Sequence, residues 1–174
     1  MADFNVAFAY LMKWEDDGLT GRVTKDDGGR TRFGIAERYH PDLTQTGFYD
    51  LMPKDDAVLL AKETYERGEW HAMQGGKILS QELANKMLSL GVDLGMLAVI
   101  RWAQEAVDVT VDGQAGPQTI AAWNKHAGAA FHAISIDAEA HYRHRADVDP
   151  ADQKYLHGPN AWLARAQDSA TEAA

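Results

Sequence analysis

From Met87 to Trp102 the chain is apolar through most of its length, inside a longer helical pattern that Ser80 opens as an N-cap and that runs to about Val107. A helix apolar on nearly every side has to be wrapped by others. This stretch therefore demands a multi-helix fold built around one buried rod. Gly91 and Gly95, one turn apart on it, invite close approach by another helix or a ligand. The flanking segments supply the wrapping. Phe4, Phe8 and Leu11 recur at helical spacing in a first helix from Asp3 to about Trp14. Ala57, Leu60, Ala61 and Tyr65 share a side of a second, from about Asp55 to Arg67. Pro117 follows Gly116 where a further helix begins, a long one covers about Ala127 to Arg145, and a short one follows Asn160.

Only one region breaks this pattern. Residues 16–34, DDGLTGRVTKDDGGRTRFG, are rich in Gly, Asp and Thr and suit a small hairpin. The expected class is mainly α, a helical domain with a small β-hairpin insertion near residues 18–34. At 174 residues, with 45% hydrophobic and 25% charged side chains, the length fits one domain, 1–174. No internal repeat divides it.

The net charge of −9 argues against nucleic acid, which requires a basic face to displace phosphate counterions. There is no cysteine, hence no disulfide framework and no thiolate metal site. His141 and His144, one turn apart near Asp137 and Glu139, have a spacing that suits zinc, but a solvated helical face explains them more simply. The expectation is no metal and no cofactor. No stretch is long enough to span a bilayer, and the start lacks the basic region and cleavage site of a secretory signal.

The candidate chemistry gathers at the end of the first helix. Positions 4, 8, 11 and 15 lie on one face, so Glu15 continues an apolar stripe. A carboxylate there is partly desolvated, and desolvation favours its protonated form, as the general acid of a glycosidase requires. The alternative is a helix ending at Trp14 with Glu15 turned into solvent beside Asp16 and Asp17. Glycoside hydrolysis also calls for a second carboxylate or a positioned water. A hairpin folding back over the helix end offers Asp26 and the Thr31 hydroxyl for that role, although Asp-Gly is equally an ordinary turn.

The stretch from Trp14 to Ile35, EDDG…TKDDGGRTRFGI, resembles the start of the glycoside hydrolase 108 family, lysozyme-like N-acetylmuramidases. The resemblance implies Glu15 as the catalytic acid, Asp26 and Thr31 as its partners, and Gly34-Ile35 as the close of the motif. Downstream, Tyr65 and Trp70 resemble a family Tyr-x-x-x-Tyr-Trp with Glu69 in the second Tyr position, and Asp93 stands where a Val-Asn-x-Gly has Asn. Gln104 and VDGQAGPQTIAAW resemble a C-terminal peptidoglycan-binding region. These imply Asp93, Tyr65 and Gln104 as substrate-binding residues, a catalytic lobe at 1–75 with the hairpin, and a helical lobe at 80–168 that binds the wall. Asp16-Asp17 depart from the family's Gly-Gly, and two more carboxylates there, if ionised, would raise the Glu15 pKa further.

The activity so implied is a muramidase acting on peptidoglycan glycan strands in the periplasm or cell wall. A holin or a secretion apparatus would deliver it, with an immunity or delivery protein as further partner and no membrane span. A catalytically silent wall-binding or structural module, and a chitinase-like hydrolase, are the alternatives. The acidic chain is an awkward match for an anionic wall unless the site differs locally in sign.

Overall fold

The computed structural model describes residues 1–26, 29–158 and 161–171. Asp27 and Gly28, and the side chain of Asp26, lie outside the described residues. The chain is mainly α with one small sheet, as its sequence pattern requires. In order come α1 (Phe4–Glu15), β1 (Thr24–Asp26), β2 (Gly29–Arg32), β3 (Ile35–Ala36), α2 (Lys54–Tyr65), α3 (Gln81–Leu94), α4 (Met96–Glu105), α5 (Pro117–Lys125), α6 (Ala127–Val148), α7 (Gln153–Leu156) and α8 (Trp162–Gln167).

α3 is the rod. Every residue from Leu83 to Gly91 is buried, and α1, α4 and α6 pack around it. Ser80 caps it, its hydroxyl accepting the Leu83 N–H at 3.2 Å. The continuous helix expected to Val107 is instead two. Gly95 takes φ +91°, outside helical space, and α4 starts afresh at Met96. The break lets Met96 fold back: a Cβ on Gly91 would lie 2.3 Å from its Cε.

Three polar residues interrupt the buried surface of α3, and one segment answers them all. Asn85 donates to the Ala170 carbonyl at 3.0 Å, and Lys86 donates to the carbonyls of Arg165, Ala166 and Asp168 at 3.0, 3.1 and 2.5 Å. Ser89 accepts from Arg165, its hydroxyl from Nε at 2.9 Å and its carbonyl from Nη2 at 2.6 Å. Lys86 thereby closes the carbonyl end of α8, where a cation also suits the helix dipole. Asp168 in turn accepts from the Tyr10 hydroxyl and Lys13 of α1, at 2.9 and 2.8 Å. Residues 165–170 are thus laid between α1 and α3.

The hairpin is an antiparallel meander with Thr24 opposite Thr31 and Thr31 opposite Ala36. Its third strand goes beyond the two-stranded hairpin that the sequence suggests. Buried Arg32 pins it, donating to the carbonyls of Gly21, Phe48 and Met52 at 2.9, 2.7 and 3.0 Å. Arg30 pairs with Glu37 at 2.6 Å and with Asp50.

After α2 the helix widens into one π turn, Glu66–Trp70. Tyr65 and Trp70 are five residues apart, and the extra residue per turn lets both bury against α1. Phe8 lies 6.3 Å from the Tyr65 ring and Phe4 lies 5.4 Å from Trp70. Glu69 turns to the side. Among the described residues no helix is long and apolar enough to cross a membrane.

Candidate active site

Glu15 is the last residue of α1, one turn beyond buried Leu11, with 17% of its side chain exposed. It has a partner that the apolar stripe does not reveal: Arg165 Nη2 meets Oε1 at 2.7 Å. The guanidinium is itself buried, and Ser89 takes its remaining inward donors. Burial disfavours the Arg165 cation, but Glu15 and Asp93 beside it more than compensate, and its pKa is raised. The other carboxylate oxygen, Oε2, faces the hairpin turn. It lies 2.7 Å from the point that a Cβ on Gly34 would occupy, and the Tyr65 hydroxyl lies 2.7 Å from the same point. Gly34, at φ +78°, is therefore a glycine for two reasons, its backbone region and the oxygens against it.

Two cavities meet at Gly34. One, of 430 Å³, is lined by Trp14, Glu15, Arg22, Thr24, Thr31 and Gly34. It brings Thr31, half-buried on β2, into the same space as Glu15. The second, of 290 Å³, is lined by Gly34, His40, Tyr65, Glu69, Gly95 and Met96 among others. Burial raises the pKa of Glu69, with nearby His40 acting against it. Tyr65 is buried and donates to the Phe33 carbonyl at 2.9 Å, which holds the hairpin turn over Glu15. Burial, then the negative charges of Glu15 and Glu69, raise its pKa well above the usual range.

Asp93, near the end of α3, accepts from the Tyr142 hydroxyl and contributes to the field at Arg165. Tyr142 is fully buried, and that burial, followed by the charge of Asp93, raises its pKa. Gln104 belongs to different work. It is fully buried and lines neither of these cavities. Its amide donates to Asp112 Oδ1 and the Gln114 carbonyl at 2.8 and 3.0 Å, and its carbonyl accepts the Gly113 N–H at 2.8 Å. Its side chain holds the 112–114 turn, whereas Tyr65 lines the second cavity and Asp93, like Gln104, lines neither.

The Asp16-Asp17 pair after Glu15 has a structural account at its first member. Asp16 accepts from Thr20 N and Oγ1 at 3.1 and 2.5 Å and from Gly21 N at 2.7 Å. Its carboxylate folds the loop that leads into β1. Asp26 sits on β1 with its backbone opposite Gly29. Among the described residues no three His, Cys, Asp or Glu side chains gather as a metal site.

Arg165 is the functional candidate that sequence reasoning missed. The signal was indirect. Asn85, Lys86 and Ser89 in a buried helix need hydrogen-bonding partners from elsewhere in the chain.

The site is thus a half-buried carboxylate fixed by a buried arginine under a small hairpin, lining one of two cavities that meet at Gly34. The chain belongs to the glycosyl hydrolase 108 family, whose sequence profile matches residues 8–95, half of the chain. The matched span holds Glu15, Thr31, Tyr65 and Asp93 and ends at Gly95, before Gln104 and Arg165. Glycoside hydrolysis is the class of reaction that this family defines. No curated protein matches the chain.

Proposed function

We propose that the protein is a peptidoglycan hydrolase that cleaves the glycan strand beside N-acetylmuramic acid, with Glu15 as general acid. The observation that carries this reading is the division of labour at the Glu15 carboxyl. Arg165 engages Oε1 and leaves Oε2 toward the cleft, next to Gly34. In this reading Oε2 delivers the proton to the glycosidic oxygen as the bond breaks. Thr31, in the same cavity, holds the water that attacks or steadies the oxocarbenium ion, and Asp26 supplies the second carboxylate from the same hairpin. Tyr65 positions the hairpin turn, and Asp93, which accepts from Tyr142 and acts on Arg165, is the further substrate-binding residue of this reading.

In this reading residues 1–174 act as one lysozyme-like domain, with residues 1–75 as the catalytic lobe and 80–168 as the lobe that grips peptidoglycan. The site of action is the periplasm or cell wall, with a delivery or immunity protein as further partner.

Mass spectrometry of sacculus digests tests it. Wild type is expected to release fragments ending in reducing N-acetylmuramic acid, and Glu15→Gln to lose at least about a hundredfold in rate. Wild-type lysis by Glu15→Gln would remove Glu15 from its role. Sacculus binding with no new reducing ends would mark a silent wall-binding module, and preferential turnover of chitin oligomers would change the substrate.

A further inference from the structure

A third cavity, of 860 Å³, lies outside the site above. Its one wall is the chain from Trp70 to Lys77, and the other is α4 with the turn at 113–116. It adjoins the Glu69 cavity: Met96 lines both, and Glu69 and Trp70 are consecutive residues facing one cavity each. The groove is therefore a continuation of the proposed glycan cleft past its second cavity.

Its chemistry differs from the rest of the protein. The chain carries 26 Asp and Glu against 17 Lys and Arg, yet no carboxylate lines this groove. Its charged or titratable side chains are Lys77 and His71, both exposed. Lys77 donates to the uncharged Gln74 amide at 2.6 Å and, among the described residues, has no ion-pair partner. Met96, Leu97 and Ile100 give one side an apolar face. At Gly76 and Gly116 a Cβ would meet nothing within 4 Å, so bare backbone borders the groove. The two walls are tied together by Gln74, whose amide donates to the Ala115 carbonyl. Gln74 holds a left-handed backbone at φ +51°, a conformation kept only where the surroundings over-determine it.

We propose that this groove receives the acidic stem peptide borne by the glycan, so that the enzyme selects peptide-carrying strands over bare ones. This rests on the peptidoglycan reading of the Glu15 site. A stem peptide presents free carboxylates, alanine methyl groups and unpaired peptide groups. The groove offers the Lys77 ammonium and the His71 imidazole, an apolar wall and open backbone. A carboxylate-free channel also answers how an acidic protein approaches an acidic polymer, since complementarity there is local.

The test compares peptide-bearing strands with strands stripped by an amidase, using wild type and the double variant His71→Glu/Lys77→Glu. Wild type is expected to show a KM about tenfold lower on peptide-bearing strands, as for the gain of one or two charge contacts. The double variant loses that advantage with kcat unchanged and treats stripped strands as wild type does. Equal wild-type KM on both substrates, or a variant defect of the same size on both, overturns the proposal. Calorimetric titration of a synthetic alanine–glutamate stem peptide into Glu15→Gln gives a readout free of catalysis. Binding that the charge reversals abolish supports the groove even where no strand is cleaved, which would sink the hydrolase reading alone. No binding sinks the groove and leaves the hydrolase reading standing.

Discussion

Arg165 spends its guanidinium on three acceptors from two elements: the Glu15 carboxylate, the Ser89 hydroxyl and the Ser89 carbonyl. The planar fork meets them from two separate nitrogens, Nε and Nη2, a reach that lysine's single nitrogen lacks. Replacing Arg165 by Met leaves a half-buried carboxylate and a buried carbonyl without their donor. The expected loss is about 3–5 kcal/mol of unfolding free energy by denaturant titration, the range for breaking one side of a buried pair. Arg165→Lys is expected to recover less than half of it. At this scale the sequence was informative about Glu15 and silent about its partner. A stripe of Phe4, Phe8 and Leu11 places Glu15 on the inward face by periodicity, which is local. An ion pair reaching from residue 15 to residue 165 leaves no periodic trace, and its sign was the polar gap in α3. Gln104 shows the reverse failure. A motif can be read correctly as residues while the side chain serves the turn that the motif makes.

At the scale of elements, the hairpin keeps its place over Glu15 through two arginines, Arg32 into buried carbonyls and Arg30 onto Glu37 and Asp50. The two hydrogen bonds from Arg30 draw the Glu37 carboxyl down to about 2 from an ordinary 4.5. A folded-state value below the unfolded one means that the pair's contribution is complete above about pH 4.5 and disappears as pH falls toward 2. The melting-temperature gap between wild type and Glu37→Gln is expected to be constant from pH 7 to 5 and to close between pH 4.5 and 2. A gap that persists at pH 2 would mean the pair does not act as described. The helices themselves were legible because their signals are local. Ser80 and Pro117 mark real starts, and α1 ends within a residue of its expected close. Gly95 was legible as a glycine but not as a break, because an apolar run reads the same on either side of a kink. The π turn at 66–70 was hidden for a related reason. Its spacing follows from where Phe4 and Phe8 stand on another helix.

At the scale of the whole molecule, a buried lysine helps to close the C-terminal segment onto α3. Lys86 joins α3 to the carbonyls at the end of α8, and burial lowers its pKa to about 8, with Asp168 acting in the opposite direction. Here the sign is opposite to that of a paired surface lysine. The unfolded chain keeps this proton up to its ordinary 10.5, and the folded chain releases it near 8. Unfolded protein therefore binds more protons between pH 8 and 10.5, and stability from this residue rises with pH across that window. Unfolding free energies of wild type and Lys86→Met, measured from pH 7 to 10.5, are expected to differ by a constant below 8 and by a changing amount above it. Parallel curves throughout would contradict the assignment.

The bridge from residue 15 to residue 165 also orders events during synthesis. A ribosome emits α1, the hairpin and most of α3 well before it reaches Arg165 and the segment that covers Lys86. Until then, a growing chain holds the proposed acid without the group that orients it, and α3 with its polar stripe uncovered. A message cut short before the Arg165 codon would yield a product that cannot complete the ion pair.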